Sequence, residues 1–397
     1  MAHRRALEQS NLRHFGAAHA ARSLGWSVVD LLFAWHLHVN VGLTGVETGW
    51  SLFLMLGIGG VATLLAGFTL SRRIADGPTI VRVQVPATIA AAILLCVTFQ
   101  TSNAFLVIAA GAAFRIVYAV QDIAQNMLTS LLPTDDRDAD RYARLRVTLS
   151  AGARCCVVTA FAVSVSILPA MLAVIATAAV ASAISLRRVV FPRRPDAGHR
   201  MDASTYSMPA GLARLLLSWA VAAMLLPTLN RLLIFSTSPP LLPRSGVWLL
   251  AGFCVGSMIG PLWKHPTAGK LLTATILSAL SMIVVLPGGA GLTAHVIGAV
   301  FHGVALSVFG VQLWGATARL AMTQARTGYR ADGIIFGSVI LTLHFASAAG
   351  MLVVGPLIEG VEAARLAFVF VAVATTVFGA LLLTVLGLSE RTAPAAA

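Results

Sequence analysis

The chain has very little charge: Asp, Glu, Lys and Arg together make up 11% of 397 residues, against 58% hydrophobic residues. So sparse a charged set cannot cover the surface of a water-soluble domain, which means that lipid must face much of it. Cysteine is scarce too. Cys96, Cys155, Cys156 and Cys254 all fall within apolar stretches, where thiols read as small hydrophobes rather than reactive groups. The polar stretch Met1 to Arg13 lacks the apolar core and small-residue cleavage site of a secretory signal, so the first helix is expected to be retained. There is no Gly-rich nucleotide-binding loop and no Ser-His-Asp or His-acid cluster, so neither an ATP-driven pump nor an enzyme is expected. His36 and His38 lack the further ligands that a metal site needs, and no metal or cofactor is expected.

What the chain does have is about a dozen long apolar runs. A membrane span needs about 20 such residues. The runs place spans at 20–42, 46–70, 79–100, 104–131, 147–167, 169–190, 210–236, 246–263, 269–288, 293–318, 333–358 and 364–387. The formal charge of +13 is distributed with a pattern. Arg72 and Arg73, then Arg137, Arg141 and Arg144, then Arg187, Arg188, Arg193, Arg194 and Arg200 fall in every second connection. Lys264, Lys270, Arg326 and Arg330 continue that series, together with Arg4, Arg5 and Arg13, while the opposite side carries only Arg244 and Arg365. By the positive-inside rule both termini are cytoplasmic, in a multi-pass protein of the cell (inner) membrane. One-sided arginines facing anionic lipid explain the basic balance with no nucleic-acid partner.

The longest connection, Arg187 to Met208, is rich in Arg, Pro, Asp and Ser and divides the spans six and six. The predicted architecture is therefore all-α: twelve transmembrane helices in two six-helix bundles, residues 1–190 and 209–397, joined by a cytoplasmic linker at 191–208. Gly67 before Arg72 and Arg73, and Gly260 before Lys264, fall at equivalent points of the two halves, as in parallel repeats. Gly59-Gly60 and Gly288-Gly289 read as helix packing and turns. Two such bundles can enclose a cavity without a partner chain, so a monomer is expected.

Ionisable groups inside spans cost several kcal/mol unless they face a cavity or a partner, so each is a candidate for function. The first span holds Arg22 and Asp30, the fourth Arg115 and Asp122, and the fifth Arg146 and Arg154; the second half offers Arg231, His302 and His344. Asp122 leads, because Gln121, Gln125 and Asn126 make its helix unusually polar at the depth where a solute would bind. Its structural alternative is an ion pair with Arg115 or Arg22 that only holds helices together. Asp30, ahead of His36 and His38, reads as a residue that meets water or caps a neighbour, and Arg214 as one that snorkels to the headgroups.

Three segments resemble the glycoside-pentoside-hexuronide cation symporters, the branch of the major facilitator superfamily that includes melibiose permease. Tyr118-Ala119-Val120-Gln121-Asp122-Ile123 is similar to the family's fourth-helix pattern, which implies a substrate and cation site at Asp122. Thr134-Asp135-Asp136-Arg137 through Leu145-Arg146 resembles the charged loop ending in a substrate-side arginine, here Arg146. Thr327-Gly328-Tyr329-Arg330-Ala331-Asp332-Gly333 resembles the motif before the eleventh helix, and fourteen residues past Arg330 the family's pathway lysine corresponds to His344. Arg22 stands where a basic residue is typical, but the first-helix sugar acid corresponds to Ser23 and the two cation-binding acids to Gly59 and Thr63. Asn126 stands in place of the aromatic sugar platform. The resemblance implies the major facilitator fold, while the missing acids and ring argue against sodium coupling and a stacked hexose.

The resulting expectation is a secondary transporter with Arg22, Asp122, Asn126, Arg146 and His344 at the substrate, and Asp122 and His344 coupling transport to a proton. Arg115, Arg72, Arg330 and Asp332 are expected in structural or gating roles. Arginines outnumber carboxylates within the spans, which favours an anionic organic solute, a sugar acid or related, over a neutral sugar. An exporter or facilitator of drug, siderophore or lipid-type substrates is the nearest alternative, and a non-transporting sensor or assembly factor a distant one.

Overall fold

A computed structural model of the chain describes residues 2–73, 77–163, 168–191, 209, 211–220, 244–262, 276–277, 280, 291–326 and 331–358. Those residues are helical apart from short connections. The elements are α1 (Ala2–Trp35) with a π-helical turn His36–Asn40, α2 (Gly45–Arg73), α3 (Gly77–Gln100), α4 (Ala104–Leu131), α5 (Asp136–Val163) and α6 (Leu168–Leu186). They continue with α7 (212–220), α8 (Arg244–Ile259) with a 3₁₀ turn Gly260–Leu262, α9 (Gly291–Arg326) and α10 (Asp332–Ile358). Among the described residues six helices are long and apolar enough to cross a membrane: α2, α3, α4, α6, α9 and α10. The predicted span 364–387, most of 210–236 and 269–288, and nearly all of the linker lie outside the described residues.

Local chemistry sets several helix starts. Thr44 and Glu47 form a reciprocal capping box before α2, with the Thr44 amide donating to Glu47 Oε2 at 2.9 Å and the Glu47 amide to Thr44 Oγ1 at 3.2 Å. Asn103 Oδ1 accepts from the Leu106 amide at 3.1 Å and caps α4. Asp135 Oδ1 accepts from the Asp138 amide at 2.9 Å and starts α5 at Asp136, where Asp136 and Asp138 also suit the positive end of the helix. The fifth helix thus begins inside the charged segment that hydropathy assigns to a loop, and Arg146 sits well within it rather than at its opening.

The first helix likewise begins far ahead of its apolar run. Asn11 exchanges hydrogen bonds with the Val190 backbone, at 2.6 Å to its carbonyl and 3.0 Å from its amide, and His14 Nδ1 lies 2.7 Å from Ser185 Oγ. These contacts lash the polar start of α1 to the end of α6. Exposed Trp50, Leu54, Ile58, Val61, Leu65 and Phe68 recur every three or four residues along α2, the stripe expected of a lipid-facing surface.

Helices α1 through α6 pack on one another, with α1 against α5 and α6, α3 against α4 and α6, and α2 against α4; later in the chain α8 packs against α9. The two sets meet where α2 lies along α10 and α5 along α8 and α9. Glycine permits the first of these meetings. A Cβ on Gly67 would collide with the Gly333 carbonyl, and one on Gly60 would come within 3.2 Å of His344 Cβ, so the α2 and α10 backbones approach where both lack side chains. Gly59-Gly60 therefore acts in helix packing; Gly288-Gly289 lies outside the described residues.

Candidate functional site

A cavity of about 180 Å³ opens between these two sets of helices. It is lined from α1 by Arg22, Trp26 and Asp30, from α4 by Tyr118 and Asp122, and from α5 by Arg146, Ser150 and Arg154. The later helices supply Trp219, Phe309, Trp314 and His344. Helices α1 and α5 are long enough to span but too polar to count among the six apolar helices. Their charge is what they bring into the cavity, since intramembrane ionisable groups survive only against a partner or a hydrated space.

Asp122 is held on two sides. Arg22 Nη1 forms an ion pair with Asp122 Oδ1, and Asn126 Nδ2, one turn along α4, donates to the same oxygen at 3.1 Å. Arg22 Nη2 reaches His19 Nδ1 at 3.3 Å, so the proton of this imidazole sits on Nε2. That nitrogen faces the Arg146 carbonyl at 3.1 Å and Ser150 Oγ at 3.0 Å, and Ser150 Oγ lies 3.0 Å from Ser23 Oγ. A chain of polar contacts therefore joins α4, α1 and α5, and its members are largely committed to one another.

Arg146 is different. It is 5% exposed, yet among the described residues its guanidinium makes no ion pair and no hydrogen bond. Its Cζ lies over Trp314 of α9, 3.5 Å from the ring centroid, so a face of the opposite helix set holds it by cation–π attraction. Trp314 in turn packs on Trp219 at 4.5 Å, and Trp219 Nε1 donates to Thr317 Oγ1 at 3.2 Å.

Of the residues expected at the substrate, Arg22, Asp122, Arg146 and His344 line the cavity. Asn126 is fully buried and reaches the cavity only through its hydrogen bond to Asp122. His344 stacks on Trp26 at 5.8 Å. Arg115 lies over the same Trp26, 4.7 Å from the ring, so the partner of Asp122 is Arg22 and not Arg115. Asp332 begins α10 almost fully buried and accepts from Ser130 Oγ of α4 at 3.4 Å, while Arg72 is exposed and covers Phe68 at 5.0 Å. Arg330 lies outside the described residues.

The structure places Asp30 and Arg154, intramembrane candidates with no assigned contact in the sequence, on the cavity wall, and adds the rings of Trp26, Trp219 and Trp314, with His19 behind Arg22. Arg154 had a legible signal, because it follows Arg146 by eight residues and so returns to nearly the same helix face. The tryptophans had none, since a ring in an apolar run looks like core or lipid anchor until its neighbours are known. His36 and His38 engage local groups, His36 Nε2 facing the Thr101 carbonyl at 3.2 Å and His38 Nδ1 the Leu43 carbonyl at 2.8 Å. Among the described residues no three His, Cys, Asp or Glu side chains come together as a metal site would require. The cysteines are free thiols, half-buried except for Cys156, which is exposed.

A charged cavity between two sets of membrane-length helices is the arrangement of a major facilitator fold, and comparison with solved structures shows that fold. The human organic anion transporter MFSD10 (TETRAN) superposes with a TM-score of 0.65 at 13% identity, over 95% of this chain and 99% of that one. A bacterial homologue of the iron transporter ferroportin in an outward-facing state gives 0.66 at 13% identity, over 95% and 98%. The nucleoside transporter NupG, as a point mutant, gives 0.62 at 12% identity, over 94% and 99%. No family model matches the chain, and no curated protein matches it in sequence.

Proposed function

We propose that the protein is a secondary transporter that carries a small organic anion across the cell membrane by alternating access. The observation that carries this reading is Arg146: a buried guanidinium that lines the cavity and, among the described residues, makes no direct ion pair or hydrogen bond, the carboxylate whose charge reaches it, Asp122, being already paired with Arg22. Keeping such a charge out of water costs several kcal/mol unless something compensates it, and a solute carboxylate or phosphate is the compensation that matches its planar donors. Three cavity arginines, Arg22, Arg146 and Arg154, face two aspartates, Asp30 and Asp122, which favours the same sign of solute. The three structural neighbours named above are transporters, and one of them is an organic anion transporter.

In this reading the chain forms twelve helices in two six-helix bundles, residues 1–190 and 209–397, with the linker 191–208 and both termini in the cytoplasm. It acts as a monomer, and its lineage is that of the glycoside-pentoside-hexuronide symporters, supported by the ordered motifs around Asp122, Arg146 and Asp332. Coupling is to a proton. A proton on Asp122 would release Arg22 to the incoming anion, and loss of that proton would return Arg22 to Asp122, so proton and anion favour one another's binding. His344 answers across the cavity from α10. Sodium is not the proposed ion, because the two places that resemble cation-binding acids are Gly59 and Thr63, which carry no carboxylate, and Thr63 Oγ1 donates to the Gly59 carbonyl at 2.6 Å.

Counterflow in proteoliposomes, with sugars, sugar acids and lysolipids as trial solutes, tests the reading. Exchange of the acids in preference to the neutral sugars is expected. Preference for a neutral or cationic solute would contradict it.

A further inference from the structure

The cavity also carries a reading of solute shape, which rests on the anion proposal above. Five aromatic side chains line it: Trp26, Tyr118, Trp219, Phe309 and Trp314. Two of them sit beside the anion-facing arginine, since Arg146 covers Trp314 at 3.5 Å and Trp219 packs on Trp314 at 4.5 Å. Leu306, Ile340 and Leu343 continue that wall. A solute whose anionic group meets Arg146 therefore has an apolar, largely aromatic wall next to it.

Several of the polar groups that a polyhydroxylated solute would need are already engaged on the α1, α4 and α5 side of the cavity. Asp122 holds Arg22 and Asn126, and Ser23 and Ser150 lie 3.0 Å from each other, with His19 on Ser150. A sugar acid entering here would have to break these contacts or leave its own hydroxyls unpaired, and buried unpaired polar groups are costly. A ring without hydroxyls meets neither difficulty.

Size narrows the class further. An apolar cavity of roughly 150 Å³ takes up one benzene molecule. At about 180 Å³ this one has room for a single six-membered ring with one small anionic substituent. We infer that the site is built for a single-ring aromatic carboxylate, with the carboxylate on the Arg146 guanidinium and the ring against Trp219 and Phe309.

The test is equilibrium binding of radiolabelled benzoate to the purified full-length protein, with unlabelled propionate, gluconate and 2-naphthoate as competitors. Benzoate is expected to bind at least about tenfold tighter than propionate or gluconate, the difference that burying a ring among aromatic partners supplies. The two-ring naphthoate should compete poorly. Trp219→Leu should erase the advantage of benzoate over propionate while propionate binding persists; if that chain does not fold, Phe309→Leu reads the same difference. Gluconate or propionate binding as well as benzoate, with Arg146 still required, would overturn the ring inference and leave the anion reading in place. Absence of Arg146-dependent binding for all four acids would overturn both.

Discussion

At the scale of single residues, Arg22 and Arg146 are in opposite energetic situations. Arg22 has its carboxylate, so removing either partner strands a buried charge, whereas replacing both together removes the problem. Arg22→Met or Asp122→Leu alone is expected to destabilise the protein by about 3–5 kcal/mol, and the double variant by far less. Thermal unfolding in detergent reads the cycle; equal, additive losses would show that the pair is not a coupled unit. The gentler Asp122→Asn keeps the shape of the side chain and bears on function instead. Gradient-driven accumulation should vanish while exchange persists, and accumulation at the original level in that variant would contradict the coupling role. That Asp122 would meet an arginine was legible in the sequence, because opposite intramembrane charges attract, but the choice of Arg22 over Arg115 was not. The cation–π seat of Arg146 on Trp314 was not, because it joins residues 168 positions apart by a contact that no periodicity encodes.

At the scale of elements, the contact between α2 and α10 and that between α5 and α9 tie the early helices to the late ones. Gly67 and Gly333 let the backbones touch, and Arg319 of α9 pairs with Asp140 of α5. A side chain at Gly67 must push α10 away, so Gly67→Leu is expected to cost about 1–3 kcal/mol and to raise labelling of a cysteine placed at Ser71, which now lies buried against Gly333. Unchanged labelling would mean that this contact does not hold the helices together. Helix existence followed from the apolar runs, but two boundaries did not. Hydropathy sees α1 and α5 only where they are apolar, and it misses the starts that Asn11 and Asp135 secure by hydrogen bonds. For the same reason α1 and α5 look like the weakest spans in composition although they carry most of the cavity's charge.

At the scale of the whole molecule, the fold is that of major facilitator transporters at identities of 12–13%, where sequence comparison finds no match. Fold without sequence likeness is expected when the constraints are a repeating span length, small residues at helix crossings and a few cavity charges. The positive-inside pattern predicts that reporter fusions at either terminus are active only from the cytoplasm; activity from the far side would invert the topology and every direction drawn from it. In the transport cycle proposed above, Arg146 acts as an anion receptor and not as half of a structural ion pair. Arg146→Gln, measured for both thermal stability and organic-anion counterflow, tests it most directly. Stability equal to or above that of the parent is expected, since a buried charge with no direct ion pair has been removed, together with anion exchange reduced by about tenfold or more. A variant that unfolds more easily while its anion exchange stays intact would contradict it.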